Sequence, residues 1–394
     1  MIKRLCLLFG LIYGIWACSS SAGTNYEAKA RIDSVAIRKK EAKIRKEIRA
    51  AEKQKKLHAL IAARGHFNGA ILIAQRDIIL AEEYRGLARW EENLPISAAT
   101  PFQLASISKT FTAVAVLQLV DAGKVSLDQS IQMFFPEFPY AGVTLRSLLS
   151  HRSGLPYYEY TFDEMVRKEK LYPSNQDIIR WFSTANPVPK IHNSPDHYFA
   201  YNNTNFAILA AVVEKVSGLP FGQYVKQHIF DPLQMTQSYV EGSADSTQVQ
   251  RRTFGYEGRR KVPFHLYDRV VGDKGVFSTP RDLFAWYQSL RDAKIVSKES
   301  LKEAFTPRSF EFPGLRNYGY GFRLWVNEQQ QTDYIYHTGW WKGYNTIFFF
   351  DLKHDFVIIV LSNKLDKSIY QIRDFLAVLQ DQPGEAIGES ILDL

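Results

Sequence analysis

Residues 104–111 read Leu104-Ala105-Ser106-Ile107-Ser108-Lys109-Thr110-Phe111 and open an apolar run that continues to Val120. The run has the length and composition of a buried helix. Gly123 provides a stop signal after it, and Lys124 suits the carbonyl end of a helix. The pattern therefore predicts a buried helix with Ser106 in its first turn.

Ser106 and Lys109 form a Ser-x-x-Lys motif at the start of this predicted helix. Residues three apart share one helical face, so we expect the hydroxyl and the amine to lie within reach of each other. A serine becomes a nucleophile when a base takes its proton, and a neutral lysine can be that base. On the order of one or two such motifs arise by chance in a chain of this length. This motif is the only match in the sequence, and two further motifs follow it in order.

The 394-residue chain is 46% hydrophobic and 14% aromatic, which is typical of a packed globular protein. Its formal net charge is +8, but the charge is unevenly distributed. Residues 28–56 contain twelve basic and four acidic side chains and so carry a net +8 by themselves. The rest of the chain is close to neutral, and we expect no nucleic-acid partner.

The first 17 residues have the parts of a secretory signal: Lys3 and Arg4, then an apolar run from Leu5 to Ala17. The run is too short to span a bilayer, which takes roughly 20 residues. Its end, Ile15-Trp16-Ala17-Cys18, resembles the lipobox of bacterial lipoproteins, although Trp16 is bulky for its position. This resemblance implies lipidation of Cys18. The alternative is a plain signal peptide with an incidental cysteine.

Export and anchoring follow as expectations from this segment. No cysteine follows Cys18, so the mature protein can form no intramolecular disulfide. Ser19 follows the lipidated position, and the lipoprotein resemblance then implies delivery to the outer membrane. We therefore expect a protein of the bacterial cell envelope, lipid-anchored to the outer membrane and facing the periplasm or the cell surface.

Residues 26–64 are rich in Ala, Glu, Lys and Arg and contain neither Pro nor Gly. Opposite charges recur four residues apart, as in Glu41 and Arg45, which indicates a solvated helix. Its apolar stripe is too sparse for a sustained coiled coil. We favour a semi-rigid spacer between membrane and domain. The alternative is a basic arm that contacts anionic lipid or the cell wall.

The remaining chain has strand-like segments at both ends and helical segments between them. Residues 67–75 and 78–82 predict a hairpin, and residues 319–326, 334–337, 344–350 and 356–361 predict antiparallel strands. Helical patterns cover residues 205–216, 224–230, 280–286 and 366–380. This order predicts an α+β fold: an antiparallel sheet built from both termini, flanked by helices, with an inserted mainly helical region.

Two further motifs follow Ser-x-x-Lys in the chain. Tyr201-Asn202-Asn203 is the only Tyr-x-Asn, and His337-Thr338-Gly339 is the only [His/Lys]-Thr-Gly. With this order of motifs, the chain resembles the class C β-lactamase and D-alanyl-D-alanine carboxypeptidase family, also called serine peptidase family S12. The resemblance spans roughly residues 66–380 and includes the segments 144–155, 272–279 and 318–322.

The resemblance implies roles for individual residues. Ser106 is the expected nucleophile, with Lys109 and Tyr201 as the catalytic partners that move its proton. The backbone N–H groups of Ser106 and Trp340 are the expected oxyanion donors, each worth about 3 to 4 kcal/mol. The expected substrate-binding residues are Asn203, His337, Thr338, Gly339 and Trp340.

Three positions leave the substrate open. His337 replaces the lysine usual in class C β-lactamases and matches the His-Thr-Gly variant of some peptidases and esterases. Trp340 stands where a small or hydroxyl residue is common, which weakens the expectation of a carboxylate-binding pocket. Lys342 either supplies positive charge there or points to solvent. His151, at a Ser-Gly turn, favours a structural role.

We therefore expect an exported serine hydrolase that acts through an acyl-enzyme on a D-amino-acid peptide or an ester. The alternatives are a β-lactamase of the same mechanism, a penicillin-recognising sensor that does not turn over, and a catalytically silent scaffold. The expected domains are a signal peptide (1–17), a tether and basic arm (18–65), the catalytic domain (66–380) and a tail (381–394). We expect a small-molecule or peptide substrate, no cofactor and no metal, since the spacer between His192 and His197 disfavours a metal pair.

Overall fold

The computed structural model describes residues 36–311, 314 and 316–381. The chain divides into two units, residues 1–49 and residues 50–394. The described part of the first unit contains a helix, α1, over residues 36–47. The predicted signal peptide, Cys18 and Ser19 lie outside the described residues, as does the chain after Asp381. The predicted tether and domain boundaries stay predictions.

The second unit contains twelve α-helices within its described residues: α2 Ala50–Ala62, α3 Ser108–Asp121, α4 Leu145–Leu149, α5 Tyr158–Thr161, α6 Asp163–Glu169, α7 Asn175–Thr184, α8 Asn203–Ser217, α9 Phe221–Val225, α10 Ser246–Arg251, α11 Pro280–Asp292, α12 Lys298–Ala304 and α13 Arg373–Gln380. A π-helical turn, Lys226–Phe230, continues α9. Four short 3-10 turns cover Ala105–Ile107, Ile131–Met133, Leu266–Arg269 and Lys367–Tyr370.

The strands are β1 Gly69–Gln75, β2 Ile78–Arg85, β3 Leu87–Arg89, β4 Leu94–Pro95, β5 Phe102–Gln103, β6 Tyr239–Val240, β7 Tyr256–Glu257, β8 Arg260–Lys261, β9 Val276–Ser278, β10 Arg316–Tyr318, β11 Arg323–Val326, β12 Thr332–Trp341, β13 Tyr344–Asp351 and β14 Phe356–Ser362. Seven of them form one sheet in the order β10-β11-β12-β13-β14-β1-β2. The other strands form three small sheets, β3-β4, β5-β9-β6 and β7-β8, which the sequence did not predict.

The large sheet brings together strands from the two ends of the second unit. All its pairs are antiparallel, and β1 lies beside β14 with Ile71 opposite Val360. Every residue of β1, β13 and β14 is buried, so both faces of the central strands are covered. Helix α11 packs on β1 and β14. The predicted α+β architecture with an inserted helical region is confirmed.

Helix α3 is the core helix that directly follows the turn with Ser106, the expected nucleophile. Its side chains are buried on all faces from Ser108 to Leu117. It packs against α8, and Gly321 lies so close that a Cβ there would come within 2.4 Å of the Ala113 Cβ. The helix ends at Asp121, and Gly123 then adopts a φ of 65°, as the stop signal predicts.

Helix α2 belongs to the packed body, although the sequence predicted a solvated helix there. Leu57 and Ile61 are fully buried, and α2 contacts β2 and α13. The Nζ of Lys53 is buried and donates to the Leu379 carbonyl at 2.7 Å and to the Gln75 amide oxygen at 3.1 Å. The few apolar residues of this segment are therefore enough to bury one face.

Membrane-spanning potential is limited in the described residues. No single helix there has the length and hydropathy needed to cross a bilayer. Helix α8 and the segment Phe221–Phe230 meet the criteria only when taken together, and they are bent by 76°.

Candidate active site

A cavity of about 730 Å³ lies between the start of α3, the end of β12 and the segment around α5 and α6. Ser106, Tyr201 and Asn203 line it, together with Thr338, Gly339 and Trp340. The structure thus places residues from all three sequence motifs around one cavity. Further lining residues are Tyr157, Glu159, Tyr160, Asp163, Arg167, His265, Tyr267, Arg323, Trp341, Lys342, Asn345, Lys367 and Tyr370.

Ser106 sits in the 3-10 turn Ala105–Ile107, immediately before α3. Its neighbour Ala105 is fully buried and has a φ of 50°, a left-handed conformation that is costly for a residue with a Cβ. The turn is held at Leu104, whose N–H donates to the Val276 carbonyl and whose carbonyl accepts from Thr346 Oγ1 at 2.7 Å. The surrounding sheets therefore hold the strained turn that presents the Ser106 hydroxyl.

Lys109 lies one helical turn further on and is fully buried. Its Nζ is 3.0 Å from Ser106 Oγ, as the i,i+3 spacing predicts. The same Nζ donates to Asn203 Oδ1 at 2.8 Å and to the backbone carbonyl of Asp273 at 2.8 Å. Three oxygen partners fix the amine in place, and one of them is the predicted nucleophile.

The Tyr201 ring lies close to the lysine amine. The Lys109 Nζ is 5.0 Å from its ring centroid, and the Arg323 guanidinium is 4.8 Å from the same centroid. Its Oη is shielded from solvent and has no hydrogen-bond partner among the described residues. The ring therefore lies between the Lys109 amine and the Arg323 guanidinium. Its role in moving the serine proton stays a prediction.

Asn203 is held at both ends of its amide. Oδ1 accepts from Lys109, and Nδ2 donates to Glu159 Oε1 at 2.6 Å. One Nδ2 hydrogen remains for a substrate carbonyl, which is the predicted role of this residue. Burial, and then the nearby Asp273 carboxylate, raise the pKa of the Glu159 carboxyl above its ordinary value.

The Asp273 side chain belongs to a buried charge cluster behind Lys109. Lys274 Nζ forms an ion pair with Asp273 Oδ2 at 3.0 Å, and both side chains are nearly inaccessible to solvent. The Tyr158 hydroxyl donates to the same Oδ2 at 2.9 Å. Lys274 also lies over the Trp341 ring, 4.7 Å from its centroid. The cluster therefore anchors the carbonyl that Lys109 contacts and links it to the cavity wall.

The strand β12 supplies the opposite wall. Gly339 lies against the nucleophile turn, and a Cβ there would come within 2.3 Å of the Leu104 carbonyl oxygen. Its own carbonyl accepts from the Tyr370 hydroxyl at 2.6 Å. Trp340 is 55% exposed at the rim of the cavity. The predicted oxyanion donors Ser106 and Trp340 thus flank a tight contact between β12 and the turn.

His337 lies behind this wall and does not line the cavity. It is fully buried, with Nε2 3.3 Å from the Tyr318 hydroxyl and Nδ1 2.7 Å from the Thr338 carbonyl. Burial, and then the positive charges of Arg323 and Lys109, lower the pKa of His337 well below its ordinary value. A neutral imidazole therefore supports the wall, whereas the sequence predicted a residue in contact with substrate.

His151 is also buried, which agrees with its expected structural role. Its Nδ1 accepts from the Asn202 N–H at 3.1 Å, next to the Tyr201 motif. The ring is 4.3 Å from the Tyr201 ring, centroid to centroid. Burial, and then the charge of Lys109, lower the pKa of His151 well below its ordinary value. This histidine therefore orients the Tyr201 segment as a neutral ring.

Arg323 and Glu159 are two of the cavity residues that the sequence reasoning missed. Arg323 on β11 is only 7% exposed, and no carboxylate among the described residues pairs with it. Its sequence signal is an arginine at the start of an otherwise apolar strand, directly after the segment 318–322. Glu159 follows Tyr157 and Tyr158 on α5 and gives no comparable signal. Lys342 does line the cavity, but it is less buried than Arg323.

Comparisons with known proteins identify the family and the fold of this chain. The sequence profile of the β-lactamase family matches residues 53–381. Penicillin-binding protein 4* of Bacillus subtilis (strain 168) is 31% identical over 336 residues, which cover 81% of this chain and 74% of that protein. A penicillin binding protein from Bacillus halodurans has a TM-score of 0.68 at 26% identity, covering 80% of this chain and 95% of that chain. The D-amino acid amidase of Ochrobactrum anthropi SV3 shares the fold, with a TM-score of 0.66 at 23% identity, covering 84% and 98% of the two chains.

Proposed function

Since this chain belongs to the β-lactamase family of serine hydrolases, we propose that it is an exported hydrolase that cleaves a D-amino-acid peptide or ester through an acyl-enzyme on Ser106. The observation that carries the proposal is the 3.0 Å contact between Lys109 Nζ and Ser106 Oγ at the wall of a large cavity. A buried amine at this distance can accept the serine proton directly.

The reaction follows from the positions of these groups. Ser106 Oγ attacks the substrate carbonyl carbon, and its proton passes to Lys109 or Tyr201. Negative charge on the carbonyl oxygen is stabilised by the N–H groups of Ser106 and Trp340. Collapse of the tetrahedral intermediate breaks the bond to the leaving group, which takes that proton. Water then cleaves the Ser106 ester and releases the acid.

Arg323 supports a substrate with a carboxylate in its leaving group. Its guanidinium is buried at the cavity wall without a carboxylate partner among the described residues, and it lies over the Tyr201 ring. A buried unpaired cation is costly, so a substrate anion would gain a strong charge-assisted hydrogen bond there. A peptide that ends in D-alanine has its carboxylate in the leaving amino acid. The structural likeness to a D-amino acid amidase is compatible with this substrate class.

The location of the enzyme is part of the proposal. The leader at residues 1–17 and the lipobox-like Cys18 support export and lipid anchoring at the outer membrane. Fractionation of cells that express the full chain or Cys18→Ala tests it. We expect the full chain in the membrane fraction and the variant in the soluble envelope fraction. Equal distribution of the two proteins would refute anchoring through Cys18.

A substrate panel on the purified protein tests the activity. The panel contains a D-alanyl-D-alanine peptide, a p-nitrophenyl ester and nitrocefin, with fluorescent penicillin as a covalent probe. We expect turnover of the peptide or the ester and its loss in Ser106→Ala. Efficient nitrocefin hydrolysis would indicate a β-lactamase, and stable penicillin labelling without turnover would indicate a sensor. Activity retained in Ser106→Ala would refute the mechanism.

A further inference from the structure

Glu159 is a partly buried residue whose carboxylate contacts Asn203, one of the motif residues of the site. It lies on α5, and its Oε1 accepts from Asn203 Nδ2 at 2.6 Å. Its Oε2 is shielded from solvent and has no hydrogen-bond partner among the described residues. The Glu159 carboxylate therefore contacts the Asn203 side chain, although the two residues are 44 positions apart in the chain.

The other end of Asn203 faces the catalytic amine. Its Oδ1 accepts from Lys109 Nζ at 2.8 Å, and the same Nζ is 3.0 Å from Ser106 Oγ. An asparagine amide can be turned by about 180°, which exchanges its acceptor oxygen and its donor nitrogen. The turned amide would present N–H groups to the lysine and lose this contact. Something must therefore hold the amide in the productive orientation.

We propose that Glu159 is a positioning residue that acts through Asn203 on Lys109, an inference that rests on the proposed function. Its oxygen accepts from Nδ2 and so directs Oδ1 to the lysine. The amide in turn keeps Nζ beside Ser106 Oγ and leaves the second Nδ2 hydrogen for the substrate. Glu159 touches neither the reacting atoms nor Ser106.

The contact does not require a charge on Glu159. A carboxylate and a carboxylic acid can both accept at Oε1, so the positioning does not depend on the protonation state of Glu159. Burial, and then the Asp273 carboxylate, raise the pKa of Glu159. The charged and titratable groups that face it are Asp273, Lys274, Tyr157, Tyr158 and Tyr267. A glutamine of the same length also offers an oxygen to Asn203, which makes Glu159→Gln the conservative replacement.

The test measures kcat and KM for a p-nitrophenyl ester in four variants: Glu159→Ala, Glu159→Gln, Asn203→Ala and the double variant Glu159→Ala/Asn203→Ala. We expect Glu159→Ala to lower kcat by about 10- to 100-fold, since small displacements of catalytic groups have effects of this size. KM should change less than kcat, because the main loss falls on the contact between Lys109 and Ser106, which acts in the chemical step. Glu159→Gln should restore kcat to within about threefold of the wild type.

The double variant separates positioning from general damage. If Glu159 acts only through Asn203, the double variant is no slower than Asn203→Ala alone. Glu164→Ala removes an exposed carboxylate from the adjacent α6 and should behave as the wild type. If circular dichroism shows that Glu159→Ala does not fold, Glu159→Met is measured in its place. We expect the same loss of kcat in that variant. Wild-type kcat in the folded variant, or additive losses in the double variant, would overturn the inference.

Ser106→Ala distinguishes this inference from the proposed function. Activity that survives Ser106→Ala would overturn the acyl-enzyme itself. Activity that is abolished by Ser106→Ala but unchanged in Glu159→Ala would overturn only the role of Glu159.

Discussion

Gly339 on β12 lies directly against Ala105, the residue before the nucleophile: a Cβ at position 339 would come within 3.0 Å of the Ala105 Cβ. It would also come within 2.2 Å of Thr346 Oγ1 and 2.3 Å of the Leu104 carbonyl oxygen. The strand and the turn can approach this closely only because position 339 has no side chain. The spacing between the two expected oxyanion donors depends on that approach.

Gly339→Ala should therefore separate β12 from the nucleophile turn. We expect kcat/KM to fall by about 100-fold and the free energy of unfolding to fall by about 1 to 3 kcal/mol. Ester hydrolysis and thermal unfolding measure the two effects. Gly65→Ala is the control, since nothing lies within 4 Å of a Cβ there. A Gly339→Ala protein with wild-type kinetics would show that the contact does not shape the site.

Lys109→Met tests the base. The methionine has a similar length and can fill the buried space, but it cannot take the Ser106 proton. We expect kcat/KM to fall by about 10²- to 10⁴-fold, the usual contribution of a positioned base. Lys124→Met, at an exposed lysine just after α3, is the control. Retention of more than a tenth of the wild-type rate in folded Lys109→Met would assign proton transfer to Tyr201 alone.

The family, the fold class and much of the site could be predicted from the sequence. The motif residues Ser106, Tyr201 and Asn203 reach the cavity because each lies at or next to the start of a buried helix, which periodicity reveals. The family resemblance and the α+β architecture are both confirmed. The assigned catalytic and binding roles stay predictions until the variants are measured.

Other parts of the site depend on pairing that a single sequence does not reveal. Arg323 reaches the cavity because β11 pairs with β12, which places it opposite Tyr336 and beside His337. The same register places His337 in the interior of the sheet, where it is fully buried. Its position in the His-Thr-Gly motif did not predict this burial. The packing of α2 was missed because its buried apolar residues are few, namely Ala50, Leu57 and Ile61. Strand register and helix docking are long-range properties that local patterns do not determine.

Lys274→Met tests the buried cluster behind the lysine. In the wild type, Lys274 Nζ lies 3.0 Å from Asp273 Oδ2. The substitution removes this cation and leaves the Asp273 carboxylate buried without it. We expect the free energy of unfolding to fall by about 3 to 5 kcal/mol, as for other broken buried pairs. The double variant Asp273→Asn/Lys274→Met removes both charges and should recover a large part of the loss. Chemical denaturation measures all three proteins, and equal stability of the single and double variants would contradict a charge effect.

Arg323→Gln tests the proposed carboxylate site. Loss of a charge-assisted hydrogen bond of about 1.5 to 3 kcal/mol should reduce kcat/KM for a D-alanyl-D-alanine peptide by about 10- to 100-fold. The matched peptide with a C-terminal amide lacks the carboxylate, so its kcat/KM should change by less than about threefold. The p-nitrophenyl ester should behave like the amide. Equal losses for all three substrates would mean that Arg323 supports Tyr201 instead of binding a substrate anion.

His265 lines the cavity, and its protonation contributes to the pH dependence of the free energy of unfolding. Burial, and then the charges of Lys342 and Lys274, lower the pKa of His265 to about 4. Its Nδ1 accepts from the Tyr267 N–H at 3.4 Å, a contact that only the neutral ring can make through a free lone pair. The folded protein therefore resists protonation of this ring.

An unfolded histidine has a pKa of about 6.5, so between about pH 6.5 and 4 the unfolded chain binds more protons than the folded protein. The free energy of unfolding then rises with pH through this window and falls as the solution is acidified. The share of His265 is about 1 kcal/mol, because its partial exposure to solvent screens the effect. His265→Gln should remove that share, so the variant should lose less stability than the wild type between pH 7 and pH 4.5. Urea unfolding of both proteins at the two pH values measures the difference, and identical losses would show that protonation of His265 does not oppose folding.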